Sequence, residues 1–270
     1  MISLIPIHDQ NPTRRPAVVT YVLIAINVVV FLLEPVGFAV SGDQGSAAAE
    51  CRQVAFFRRW AAIPRELTRN EPLPETAGPP AGPNRCRAVR RDYQKIPFLS
   101  VLSSMFLHGG WLHLLGNMLF LFVFGNNVED RLGRIRYLLF YLACGYAAAY
   151  GFAFTNPNST DTLVGASGAV AGVLGAYLVL FPRARVTSLM PFLLFLPIRL
   201  PAWVVLGSWF VLQWLYFQGG GMGAGSSVAY FAHVAGFVAG IVGVILLGGL
   251  SPARRPPPPP PEQARWGRYA

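Results

Sequence analysis

Ser167 stands between small residues in Gly165-Ala166-Ser167-Gly168, at the head of a run that stays uncharged to Phe181. A serine hydroxyl becomes a nucleophile when a neighbouring base takes its proton, and the chain holds four histidines. His8 lies near the N-terminus, whereas His108, His113 and His233 lie in or beside apolar segments. His113 and Asn117, four apart in His-Leu-Leu-Gly-Asn, share one helical face, and both can donate hydrogen bonds. The chemistry open to this set is acyl transfer. Ser167 would attack a carbonyl carbon, His233 would take the hydroxyl proton, and His113, Asn117 and the Ser167 backbone N–H would hold the oxyanion. No carboxylate falls in the segments of Ser167 or His233, so a Ser-His dyad is expected rather than a triad. His108, in Met-Phe-Leu-His-Gly-Gly-Trp, either lines the site or stabilises its loop; Gly165 and Gly168 are further candidates for the lining. Taken singly these signals are weak. Gly-x-Ser-Gly within a helix more often reflects packing, and a lone membrane His or Asn more often makes an interhelical hydrogen bond, the class assigned to Asn27.

The elements that must position these residues are membrane helices. With 270 residues, 53% hydrophobic and 13% charged, the chain is too apolar for an ordinary soluble domain. Six stretches of spanning character occur, at approximately 17–40, 99–127, 135–155, 167–181, 200–217 and 228–250. The first follows Arg14 and Arg15 without a clear cleavage site and reads as a retained signal anchor. Short connections 129–136 and 182–199 and the tail carry arginines, while 156–166 and 218–227 carry neither Lys nor Arg. The positive-inside rule then puts both termini in the cytoplasm. The expected organisation is a cytoplasmic N-terminus (1–16), an all-α six-helix membrane domain (17–250) and a Pro-rich cytoplasmic tail (251–270).

Loop 41–97 should be external, although it holds nine arginines and Lys95 against six acids; loops of this length translocate largely regardless of charge. Within it, 54–63 reads as a headgroup-level segment or a minor helix packed on the outer face, and Pro-rich 72–84 as irregular. Cys51 and Cys86 either form a disulfide there or remain two thiols. The glycine-rich connection 219–227 is either a mobile gate or a plain linker.

In this topology Ser167, His233, His113 and Asn117 share one depth, in the outer half of the bilayer. The fourth span, of 15 residues, is only about 22 Å long, short of a bilayer, so its first residue can be recessed. Ser167, Ala171 and Gly175 form one small stripe and His233, Gly236 and Gly240 another. Facing each other, such stripes bring helix backbones close.

Other classes fit less well. The net charge of +10 is scattered over the connections, with no nucleic-acid motif. A zinc site lacks His-Glu-x-x-His, and His108 and His113 are five apart, so no metal is expected. A transporter or channel would call for acids or arginines in the centres of the spans, where none occurs.

Three segments together, Ser103–Gly133, Gly165–Gly172 and Ala232–Gly240, resemble the rhomboid intramembrane serine proteases, and the resemblance covers nearly the whole chain. The N-terminal segment and Phe-Pro-Arg-Ala-Arg-Val look like the bacterial branch. The resemblance implies a six-helix core with Ser167 as nucleophile, His233 as base, and His113 and Asn117 on the oxyanion. It also implies cleavage of other transmembrane proteins without metal or cofactor; with the topology above, a cell inner membrane location is expected, with the site opening to the extracytoplasmic side. An inactive rhomboid-like binding protein is the alternative, and such relatives usually lack the serine or the histidine. Two features depart from the family. Ala171 occupies the position where many members stack an aromatic on the histidine, which leaves the support of His233 unassigned, and the first-loop Trp-Arg signature is missing at Trp60.

Overall fold

The computed structural model describes residues 4–35, 47–82, 85–190, 195–220 and 229–248. The Pro-rich tail and all but the start of the 219–227 connection fall outside these residues. The chain is mostly helical, but the all-α expectation needs correcting, because two small antiparallel sheets occupy segments read as loops. One joins β1 (Ile5–Asp9), β4 (Arg185–Met190) and β5 (Leu196–Pro201) in the order β1-β4-β5; the other pairs β2 (Glu75–Gly82) with β3 (Arg85–Arg90). β2 contains Pro79 and Pro80, which argue against a central strand. A two-stranded ribbon has only edges, and register shifts after Ala77 and Pro80 accommodate the missing donors.

The first apolar helix, α1 (Val18–Leu33), begins at Ala17, which has no side chain to cap it. The cap comes from Glu129 instead. Its carboxylate accepts the Val19 N–H at 3.0 Å, the Thr20 N–H at 2.8 Å and the Thr20 hydroxyl at 2.8 Å, and its charge complements the helix dipole. Glu129 lies on α5 (Trp111–Leu132), which continues through the first half of the expected 129–136 connection and is separated by Gly133 alone from α6 (Arg134–Thr155). Gly133 has a φ of +80°, which a residue with a Cβ adopts only under strain.

The expected span 99–127 is not one helix. It divides into α4 (Pro97–Ser104), an irregular segment containing His108, Gly109 and Gly110, and then α5. Adjacent glycines are poor helix formers, and here they let the chain turn into α5. α5 and α6 are the two described helices long and apolar enough to cross a membrane; α1, α7 (Ser167–Leu180) and α9 (Tyr230–Leu246) are shorter apolar helices. Between them runs α8 (Ala202–Leu215), extended by a π-helical turn at Tyr216–Gly220. Asn27 does not bond between helices as expected; its amide donates to Leu23 O at 2.7 Å in its own helix.

α7 is the central element. Every residue from Ala169 to Tyr177 is buried, as required of a helix apolar on all sides and packed against α5, α6, α8 and α9. Its far end is tied to β1 through Asp9, whose carboxylate accepts from the Tyr177 hydroxyl and, at 2.8 Å, from the Asn127 amide.

Residues 47–82 and 85–95 pack against α4, α6 and the segment that leads into α7. α2 (Ala47–Trp60) buries Phe57 beside Ala61 and Leu107, the packed-helix alternative for this segment, and is followed by α3 (Pro64–Arg69). Cys51 and Cys86 are joined in a disulfide across a separation of 35 residues, a closure that stabilises by about 3–4 kcal/mol. Lys95 is buried, with its ammonium 2.6 Å from the Glu66 carboxylate. It also donates to Arg58 O at 2.8 Å and Ala61 O at 2.7 Å. Burial pulls the Lys95 pKa below the usual lysine range, against the opposing pull of Glu66. Lys95→Met is expected to strand the Glu66 carboxylate and both carbonyls, lowering stability by about 3–5 kcal/mol in thermal melts. An unchanged melting temperature would contradict this account of Lys95.

Candidate active site

Two backbone devices set Ser167 in place. Ala62 pairs with Leu163 in an isolated antiparallel bridge, and the Ser104 hydroxyl donates to Leu163 O. The Gly165 N–H then donates to Ser104 O at 3.0 Å. Gly165 has a φ of +120°, and a Cβ there would lie 2.7 Å from His113 Cε1 and Nε2. Glycine is therefore required on both counts. Helix α7 begins at Ser167 itself, so the backbone N–H groups of its first turn have no intrahelical acceptor.

The second helix is held at minimal distance by backbone contact. α7 and α9 form the most extensive contact between helices in the described residues. A Cβ added to Gly236 would collide with the Gly168 carbonyl, one on Gly240 with the Gly172 carbonyl, and one on Gly175 with the Phe237 carbonyl. The expected stripe on α9 is thus the one in use. On α7 the seam differs from expectation: Gly175 belongs to it, but Gly168 and Gly172, rather than Ser167 and Ala171, supply the rest. Those two glycines also leave room for Ala148 and Cys144 of α6 on the other side.

This approach brings His233, one turn into α9, to Ser167. His233 Nε2 lies 2.9 Å from Ser167 Oγ across 66 residues of sequence. Its other ring nitrogen, Nδ1, lies 2.8 Å from Gln213 Oε1 of α8. His113 Nδ1 accepts the Gly109 N–H at 3.4 Å, which leaves the proton on Nε2, the nitrogen turned to Gly165. The Asn117 amide donates one N–H to His113 O at 3.0 Å and keeps a second. A cavity of about 790 Å³ is lined by Ser167, His233, His113, Asn117, Gly165 and Gly168, among others.

His108 is placed elsewhere. It is fully buried behind His113, the ring centroids 5.1 Å apart, and is not part of the cavity wall. Its backbone N–H donates to the Glu34 carboxylate at 3.1 Å, so its position corresponds to the loop-stabilising alternative.

The rhomboid domain model matches residues 97–249, more than half of the chain and every element from α4 to α9. The chain belongs to the rhomboid family. RHOMBOID-like protein 6, mitochondrial, of Arabidopsis thaliana is 31% identical over 154 residues, covering 54% of this chain and 43% of that protein. The putative rhomboid protease YdcA of Bacillus subtilis (strain 168) is 38% identical over 78 residues, 29% of this chain and 39% of that one. RHOMBOID-like protein 5 of Arabidopsis thaliana is 37% identical over 78 residues, 29% of this chain and 25% of that protein. The matched part of these relatives is less than half of their length. Rhomboids are membrane-embedded, and residues before 97, including α1 and the disulfide-bonded unit, lie outside the domain match.

In this rhomboid, Ala171 is wholly buried within α7 and offers His233 no ring. The aromatic neighbours of the imidazole come from elsewhere. Trp209 of α8 lies 6.0 Å away, tilted by 34°, and Tyr230 of α9 meets it edge-on at 6.5 Å. Trp209 and Gln213 are functional candidates that the sequence reading missed. The signal was present: Gln213 is a lone amide in the apolar run Trp-Phe-Val-Leu-Gln-Trp-Leu, the same class of anomaly that singled out Asn117.

Proposed function

We propose that this rhomboid is an intramembrane serine endopeptidase that cleaves transmembrane segments of other membrane proteins through an acyl-enzyme. The observation that carries the reading is the 2.9 Å contact between Ser167 Oγ and His233 Nε2 inside a cavity among apolar helices. In this scheme Ser167 Oγ attacks the scissile carbonyl carbon as its proton passes to His233 Nε2. The tetrahedral oxyanion is held by the His113 Nε2–H, the free Asn117 N–H and the α7 N-terminal amides. Collapse expels the amine, which takes the proton from Nε2 and leaves an ester on Ser167. Water then attacks the ester, its proton going to Nε2 and on to the departing Ser167 oxygen. Every step uses groups of this chain, the substrate and water.

The bundle itself is read as six membrane helices, α1, α5, α6, α7, α8 and α9. Residues 1–16 and 251–270 are then cytoplasmic, in a cell inner membrane, with the cavity opening to the opposite side. The Cys51–Cys86 disulfide supports placing 47–95 in an oxidising compartment. A site recessed below that surface, at the head of a helix of only 14 residues, suits substrates that are themselves in the membrane.

The test is reconstitution of the full chain in proteoliposomes with a model transmembrane substrate and a fluorophosphonate serine probe. Cleavage together with probe attachment at Ser167 is the expected result. Absence of both would favour a binding protein that holds transmembrane clients. Within the same assay Asn117→Ala is expected to lower kcat about 10²-fold without abolishing turnover, since His113 and the backbone donors remain. A wild-type rate in that variant would remove Asn117 from the oxyanion site.

A further inference from the structure

We propose that Gln213 is the positioning residue of the catalytic base, a neutral third member that fixes the tautomer and orientation of His233 from a separate helix. The inference rests on the protease reading above. A neutral imidazole carries one N–H, and its two nitrogens face two different partners here: Ser167 Oγ at 2.9 Å from Nε2 and Gln213 Oε1 at 2.8 Å from Nδ1. An amide oxygen can only accept, so the proton resides on Nδ1. Nε2 then presents its lone pair to Ser167, the arrangement a general base requires. With the proton on Nε2 instead, the ring would donate to Ser167 and could not receive its proton.

The seating of the ring comes from the same helix. Trp209 and Gln213 are four apart and share one face of α8, so the indole lies against the imidazole while the amide bonds its far edge. α7 contributes no ring at Ala171, and no carboxylate lies on α7 or α9 to orient the base. α8 therefore takes over a role that neither of the other two helices can fill. A carboxylate at this depth would carry a large desolvation cost, whereas an amide supplies the acceptor without a charge.

The placement makes orientation of the base separable from proximity. The glycine seam between α7 and α9 sets the Ser167–His233 distance, and α8 plays no part in that seam. α8 is anchored at its start, where Ala202 N–H donates to Ala184 O at 2.8 Å and Ala202, Val205 and Leu206 are buried. Gln213 lies in the other half, on a face shared with Trp209. Removing its oxygen should leave the nucleophile and base together but the base poorly aligned.

Three substitutions in the full chain in proteoliposomes test this: Gln213→Met, which keeps length and loses the strong acceptor, Gln213→Glu, whose neutral carboxyl form keeps a C=O acceptor without a buried charge, and Trp209→Leu, which removes the ring. Cleavage kinetics, the rate of fluorophosphonate attachment to Ser167 and thermal melts are read for each. Gln213→Met is expected to lower kcat and the labelling rate about 10- to 100-fold, with KM within about twofold and unchanged melting. Gln213→Glu is expected to recover most of both rates, and Trp209→Leu to lower kcat less than Gln213→Met. Wild-type kcat and labelling in Gln213→Met would overturn the assignment. So would equal losses in Gln213→Met and Gln213→Glu, or a loss confined to KM or melting, since these mark packing rather than acceptance of the Nδ1 proton. A wild-type chain that neither cleaves nor labels would instead overturn the protease reading and this inference with it.

Discussion

Ser167→Ala is expected to reduce cleavage of a transmembrane substrate by a factor on the order of 10⁴ or more, and to abolish fluorophosphonate attachment. The hydroxyl is the only nucleophile within hydrogen-bond reach of His233 Nε2 in the described residues, at 2.9 Å. Removing it leaves the cavity, His113, Asn117 and the glycine seam in place. Melting should therefore stay close to wild type, because the residue is half-buried and loses one atom. His233→Ala is expected to reach nearly the same floor, since in the proposed mechanism the two groups act as a unit and their losses do not add. Probe attachment that persists at wild-type level in Ser167→Ala would exclude Ser167 as the nucleophile.

Gly236→Ala is expected to lower cleavage by 10²-fold or more while leaving both reactive residues in the chain. The added methyl would meet the Gly168 carbonyl, part of the rigid backbone of a helix buried on all sides. α9 has to move outward, by about 1 Å, and a misplacement of that size costs on the order of 10²-fold in rate. Overpacking of this kind also costs about 1–3 kcal/mol, visible as a lower melting temperature. Gly207→Ala in α8 is the control, because a Cβ there meets nothing within 4 Å. Equal, wild-type behaviour of the two variants would show that the seam does not set the distance between Ser167 and His233.

Much of the helical framework was legible in local pattern. Apolar runs report helices because each bilayer-length segment must satisfy its own backbone hydrogen bonds. Ser167, His233, His113 and Asn117 stood out because polar groups are costly among apolar helices. The same reasoning reached Gly236 and Gly240, since small residues at helical spacing permit close backbone approach. On α7 it found Gly175 but placed the other two positions of the stripe one residue away from the observed ones, because Gly168, Ala171, Gly172 and Gly175 offer several small faces and composition alone does not choose among them. The hairpin in the Pro-rich segment was missed because proline disfavours strands in general but not in a ribbon made of edges.

The sequence by itself determined the family, the apolar helices and the small set of polar side chains able to do acyl-transfer chemistry, because each of these is written in residue types and spacings within one segment. Only the tertiary structure decided that Glu129 caps α1, that Cys51 joins Cys86, that His108 is set behind His113 and that Gln213 meets His233. Each of these joins groups from separate elements or separate positions along the chain, and which groups meet depends on how whole helices pack rather than on any local preference.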